Sequence, residues 1–262
     1  MLRGLTVSAF GAALTGALAM SQAASAAEFT VGAGAGVRPD YQGSDDYEAV
    51  PLWNLRAGDL YHPATFVQLF GPRLTSNLLP HDHWRLGIAG QFIPERDDVE
   101  DDRVDDLRSV DASVLLGLIA GYDLLADPQQ DLVLEVEGRQ DVADDNGFLG
   151  TIRGRYSSLF AQQWSLDAVI ETTWASEDYM SSYFGIDAGD AARSGLDQFN
   201  ADEDFKDVTF GGSLSYHFLE NWSATAGGTY TRLLGDAKDS PVVEDRGDED
   251  QIFGGLLVNY RF

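Results

Sequence analysis

Residues 252–262 read Ile-Phe-Gly-Gly-Leu-Leu-Val-Asn-Tyr-Arg-Phe. Ile252, Leu256, Val258, Tyr260 and Phe262 fall on even positions and make one apolar stripe, with Asn259 and Arg261 on the opposite parity. Alternation with a period of two marks a β-strand whose faces meet different surroundings. Working upstream, the same pattern recurs. Trp222, Ala224, Ala226 and Tyr230 alternate with Ser223, Thr225 and Thr229. Phe210, Leu214, Tyr216 and Phe218 alternate with Thr209, Ser213 and His217, and Trp84, Leu86, Ile88 and Phe92 oppose Arg85 and Gln91. Val110, Val114, Leu116, Leu118 and Tyr122 are read as one face of a further strand, and Phe29 to Val37 as another.

A soluble β-sandwich also alternates, so three further features decide. The segments run to about 11–16 residues, longer than ordinary globular strands and long enough to cross a bilayer at a tilt. Connections alternate between tight (125–129, 161–163, 219–221) and long, acidic ones (95–107, 178–204, 236–249). That asymmetry is the one outer-membrane barrels show, with short periplasmic turns and long outer loops. The closing stripe, ending in Tyr260 and Phe262, resembles the strand by which bacterial outer-membrane proteins are recognised for barrel assembly. Trp84, Trp164 and Trp222 near strand ends suit an aromatic girdle at headgroup level. The expected fold is all-β, an antiparallel transmembrane β-barrel. Strands are expected near 28–37, 48–57, 82–95, 108–124, 129–142, 147–160, 163–177, 205–218, 221–235 and 250–262. Even parity leaves residues 60–80 with two strands or none; Gly71-Pro72 in their middle signals a turn, which gives twelve strands, with ten as the alternative.

Composition agrees. The 262 residues hold no cysteine, 17 basic and 43 acidic side chains, for a net charge of −26. No cysteine excludes a disulfide scaffold or thiolate metal site, and the negative field argues against nucleic acid as partner. Residues 1–27 read as a secretory signal peptide: Arg3, an apolar stretch from Leu5 to Met20, then a small-residue cleavage site. Residues 28–262 are the expected barrel domain, in the bacterial outer membrane.

Several stretches resemble the MipA/OmpV family of outer-membrane proteins. They are Pro39-Asp40-Tyr41-Gln42-Gly43-Ser44-Asp45-Asp46-Tyr47, Pro51-Leu52-Trp53, and Tyr183-Phe184-Gly185-Ile186 continuing to Ser194-Gly195-Leu196. Leu234-Gly235-Asp236-Ala237 with Ser240-Pro241-Val242-Val243 completes the set. The resemblance implies a non-enzymatic scaffold linking the outer membrane to a lytic murein transglycosylase and a murein synthase. Other members of the family are described as adhesins or porins. It supplies no catalytic residues and no cofactor. Lipid, lipopolysaccharide and the barrel-assembly machinery are the further partners expected of such a barrel.

The residues themselves point to the lumen. Glu135, Glu137 and Arg139 share the inner face of one strand, Arg153 and Arg155 that of the next, and Asp167 and Glu171 that of the one after. Opposite charges on adjacent strands are expected to pair, either stiffening the interior or forming a selective constriction. Loop 178–204 is long enough either to fold inward and close the pore or to stand clear of it, and the sequence does not choose between the two. The run Asp97, Asp98, Asp101 and Asp102 offers carboxylates for a divalent cation, without EF-hand spacing. Arg246-Gly247-Asp248 spells a tripeptide used in adhesion. His62, His81, His83 and His217 fall near the periplasmic side and form no evident Ser/His/Asp arrangement, so no enzymatic activity is expected.

Overall fold

The computed structural model describes residues 27–125, 127, 129–144 and 146–262. The expected signal peptide, save its last residue, lies outside them. Twelve strands form one closed antiparallel barrel in which each pairs with its sequence neighbours and the last closes on the first. They are β1 (Glu28–Pro39), β2 (Tyr47–Gly58), β3 (Phe66–Phe70), β4 (Arg73–Asn77), β5 (Trp84–Ile93) and β6 (Ser113–Asp123). The second half comprises β7 (Gln130–Asp141), β8 (Phe148–Phe160), β9 (Trp164–Ala175), β10 (Asp204–Leu219), β11 (Trp222–Leu233) and β12 (Asp250–Arg261). Residues 60–80 supply two strands, turning at Gly71 with φ 50°.

One expected boundary shifts. β6 begins at Ser113 rather than near 108, and Val110 lies beyond the strand, buried and bridged to Arg96. Its apolar side chain serves the interior of the outer loops, not the lipid face. Ile119 and Leu115, of opposite parity to Leu116 and Leu118, point inward and are buried.

Closure is what lets strands cross a bilayer, because an open edge would leave backbone groups without partners. The alternation sorts accordingly. Leu86, Ile88, Leu118, Leu134, Val136, Ile152, Ile170, Leu256 and Val258 are exposed on the outside of the barrel. At the short-turn end, Trp84 meets Tyr122 (4.8 Å), Trp164 meets Tyr216 (4.6 Å) and Trp222 meets Tyr260 (4.9 Å). These rings sit at the ends of tilted strands, where an amphipathic aromatic favours the interface. The seam between β1 and β12 runs from Thr30–Arg261 to Val37–Gly254. It is tight: a Cβ on Gly34 would lie 1.8 Å from the Leu256 carbonyl oxygen. Phe262 completes the seam by donating its amide to the Phe29 carbonyl at 2.8 Å.

The long loops at the other end fold into a crown. It contains α1 (Asp102–Asp105), α2 (Glu177–Phe184), α3 (Ala188–Ser194), α4 (Gly235–Asp239) and α5 (Pro241–Glu244). In α2, Tyr179, Met180, Tyr183 and Phe184 recur at helical spacing, so one face is apolar. All four are buried, packed against Leu149, Ala175 and Leu233 at the strand ends. A second apolar cluster joins Tyr41, Val104, Leu107, Ile186, Leu196 and Val242, thus uniting four loops. Loop 176–203 therefore does fold inward, and its apolar side chains pack over the strand ends at the outer mouth.

Candidate functional site

The lumen is the site, and its charges gather on one side. The antiparallel register sets Glu135 opposite Arg153 and Arg153 opposite Glu171. Glu137 is the hub: it meets Arg139 at 2.6 Å, Arg73 at 2.8 Å and Arg153 at 3.3 Å, with its carboxylate 1% exposed. Arg153 also reaches Glu171 at 2.5 Å and Glu135 at 3.4 Å. Arg155 makes only a long contact with Glu135, at 3.9 Å. Toward the periplasmic end, Arg85 meets Asp131 at 2.6 Å and Asp123 at 3.0 Å. Such buried pairs add little net stability over apolar packing, but losing one partner strands a charge and costs several kcal/mol.

Six of the seven expected lumen residues thus join one network, along with Arg73, while Arg85 forms a separate cluster with Asp123 and Asp131. Among the described residues, Asp167 joins no arginine; it accepts hydrogen bonds from Ser157 (2.7 Å) and Ser213 (3.4 Å). Arg73 escapes a charge count made on long alternating strands because β4 has only five residues. Its position directly after the Gly71-Pro72 turn was the available signal.

The network divides the interior into two cavities. The lower, about 680 Å³, faces the periplasmic end; the upper, about 390 Å³, lies beneath the crown. Both reach a shared waist at Arg73, Glu171, Thr209, Thr229 and Phe253.

In the crown, the acidic run is bound into structure. Asp101 caps α1 by accepting from the Arg103 and Val104 amides (both 3.0 Å), and pairs with Arg246 at 2.5 Å. Burial works against its charge, but the Arg246 hydrogen bond and the two amides outweigh that and hold its carboxyl below the ordinary aspartate value. Asp97, Asp98 and Asp102 are exposed. Among the described residues, no group of three or more His, Asp or Glu converges as a metal would require. The same ion pair occupies Arg246 of the Arg-Gly-Asp tripeptide, while Asp248 donates its amide to the Gly43 carbonyl at 2.8 Å. Arg108 ties the crown further, reaching Asp190 (3.0 Å) and Asp187 (3.1 Å). The histidines lie at the short-turn end; His62 approaches Asp82 at 3.6 Å and His217 approaches Ser165 Oγ at 3.3 Å.

A closed barrel with a lipid-facing apolar belt, a polar, charged lumen and a packed outer crown is an outer-membrane protein. The comparisons then place it within that class. The chain belongs to the MipA family: the family profile described as MltA-interacting protein MipA matches residues 31–262. The MltA-interacting protein of Escherichia coli (strain K12) is 33% identical over 96 residues, 36% of each chain. Outer membrane protein Omp26La of Vibrio anguillarum is 32% identical over 90 residues, 34% of this chain and 33% of that one. The matched stretch spans about a third of the length of these curated relatives. Among solved structures, the NanC porin aligns with a TM-score of 0.45 at 7% identity, over 90% of this chain and 99% of its own. The COG4313 outer membrane channel from Pseudomonas putida F1 aligns with a TM-score of 0.45 at 13% identity, over 94% and 98%.

Proposed function

We propose that this protein is a non-enzymatic outer-membrane scaffold whose periplasmic face docks a murein-remodelling enzyme of the kind its relatives' name denotes, a lytic murein transglycosylase, with a murein synthase as second client. The observation that carries this reading is the crown: two apolar clusters pack the loops over the outer mouth, so traffic across the membrane is not what the barrel is built to favour. At the periplasmic end, short turns surround the mouth of the larger cavity. Lipopolysaccharide around the crown and assembly machinery reading Tyr260 and Phe262 complete the proposed partners. Crosslinking in intact cells at native expression, followed by purification of the barrel, is expected to recover a murein enzyme. Its absence from the crosslinked material would count against docking.

A second reading, a small-solute channel, draws on the two stacked cavities and their charged waist. In it, Glu135, Glu137, Arg139, Arg153, Arg155 and Glu171 set selectivity, and loop 176–203 opens. Planar-bilayer recording separates the two. Stable steps whose selectivity changes in Arg153→Ala or Arg155→Ala favour a channel, whereas a silent, heat-modifiable barrel favours the scaffold. An adhesive role would rest on the crown, where Arg246 is already engaged by Asp101.

A further inference from the structure

The barrel wall is not of even height. β3 and β4 have five residues each, whereas their neighbours β2 and β5 have 12 and 10. The β3–β4 turn therefore ends partway up the wall. On one side the last wall bond runs from the Gly71 amide to the Trp53 carbonyl, 2.8 Å; on the other it runs from the Phe92 amide to the Pro72 carbonyl, 2.9 Å. Above these bonds, residues 47–52 of β2 pair with β1 alone among the described residues. With two strands missing, three inter-strand spacings of about 4.8 Å leave roughly 14 Å between β2 and β5.

The sequence is adapted to this gap. Backbone groups of alternate strand residues point to alternate sides, so Pro51 and Ala49, which share the side of Trp53, face the missing neighbour. Proline has no amide to donate and is tolerated in a strand only at such an edge. Tyr47, Trp53, Phe70 and Phe92 are exposed around the gap, which places it within the lipid-facing belt. Its top is crossed by the loop after β5: the Glu100 amide donates to Asp40 Oδ2 at 3.0 Å, and Asp101 is held by Arg246. The gap is thus a window with a sill at Pro72, sides at β2 and Phe92, and a bar of crown above.

Behind it lies the upper cavity, whose lining includes Pro72 and Phe92 as well as Arg96, Tyr183 and Gln42. Arg96 is 7% exposed and has no carboxylate within ion-pair distance among the described residues. It donates to the carbonyls of Tyr183 (2.7 Å) and Arg108 (3.4 Å), while its Nε and Gln42 Oε1 are buried without a hydrogen-bond partner among the described residues. A buried cation satisfied only by carbonyls favours an anion beside it. The acidic crown repels anions arriving from water, but an amphiphile already in the bilayer arrives from the side.

We propose that this window admits a single-chain amphiphile with an anionic head, of the fatty-acid class, from the outer leaflet into the upper cavity, its carboxylate toward Arg96 and its hydrocarbon chain leaving between Trp53 and Phe92. The inference does not depend on periplasmic docking.

The test uses the barrel purified from membranes in detergent and a diazirine-bearing palmitate, with adducts mapped by mass spectrometry. Saturable adducts on cavity residues such as Thr173, Lys206 and Thr231, competed by palmitate, are expected. Arg96→Gln should reduce them about tenfold, the loss of one charge-assisted hydrogen bond, and Arg96→Lys should retain them. Pro72→Trp, which raises the sill without touching Arg96, should also reduce them; heat-modifiability on gels verifies that each variant is folded. Adducts confined to the outer surface, at Trp53 and Phe92, would overturn the proposal. So would cavity labelling that is equal in wild type, Arg96→Gln and Pro72→Trp.

Discussion

From β4 to β9 the inner wall carries Arg73, Glu135, Glu137, Arg139, Arg153 and Glu171, interlocked by ion pairs, and Arg85 paired with Asp123 and Asp131. From β10 through β12 to β1 the inward positions below the crown carry small or neutral side chains, among them Thr209, Ser213, Thr225, Gly255 and Gly34; the buried Lys206–Asp207 pair stands only at the crown end of β10. Both walls obey one alternation, and both have apolar residues outside. The difference shows that an outer-membrane barrel fixes the chemistry of its outer face, while its inner face is open to choice. Here long charged side chains from one wall reach over the middle, and small residues opposite leave the room for them. Stability should accordingly be far more sensitive to side-chain chemistry on the charged wall, and to side-chain size on the smooth one.

The contrast breaks first at Glu137. Glu137→Ala removes the hub of three arginines, and a stranded buried charge costs about 3–5 kcal/mol. A strongly lowered unfolding midpoint in urea, or loss of the heat-modifiable band, is expected. On the smooth wall the sensitive variable is bulk. Gly34→Val drives a side chain into the Leu256 carbonyl, and overpacking of this kind costs about 1–3 kcal/mol; the same urea titration reads it. Against both, Ser215→Ala deletes one hydroxyl contact with Thr225 (2.7 Å) and should shift stability by no more than about 1 kcal/mol. If Ser215→Ala proves as damaging as Glu137→Ala, the division into two walls is wrong.

The crown provides a finer test, because its ties titrate in water. The folded-state value of Asp101 lies below the ordinary carboxylate value, so its charge stabilises the crown at all pH above that ordinary value, about 3.9. The contribution is lost as pH falls from there through the lower folded value. Protease cleavage within 94–112 should therefore rise on acidification below about pH 4, with an acid-stable protease as the probe. Asp101→Asn should show raised cleavage already at neutral pH and a flatter acid response.

Nearly all strands were legible because lipid on one side and a wet lumen on the other impose strict alternation over ten or more residues. Even the short β3–β4 hairpin announced itself through Gly71-Pro72. The crown was not legible in the same way. Residues 178–204 read as an acidic loop, yet Tyr179, Met180, Tyr183 and Phe184 hold the helical spacing that packs them into the mouth. Acidic neighbours such as Glu177 and Asp178 mask that signal in any composition count. Val110 reads as lipid-facing in sequence because a buried crown residue and a lipid-facing strand residue are equally apolar. In the lumen, like reasoning overreached at Asp167. Alternation places it inward, but only the register shows that Ser157 and Ser213, not arginines, stand beside it.

The seam between β1 and β12 has a temporal consequence. Above its last strand pair, Gln251 accepts from the Gly43 amide at 3.1 Å and donates to the Ser44 carbonyl at 3.0 Å, across 208 and 207 positions of chain. Contacts so distant in sequence carry the largest loop-closure entropy and form slowest. The hairpins from β1 to β11 can zip in order, each waiting only for its neighbour; the seam must wait for all of them. Birth of the barrel should therefore end with a single slow event, in which the ring shuts and the Gln251 clasp snaps over it.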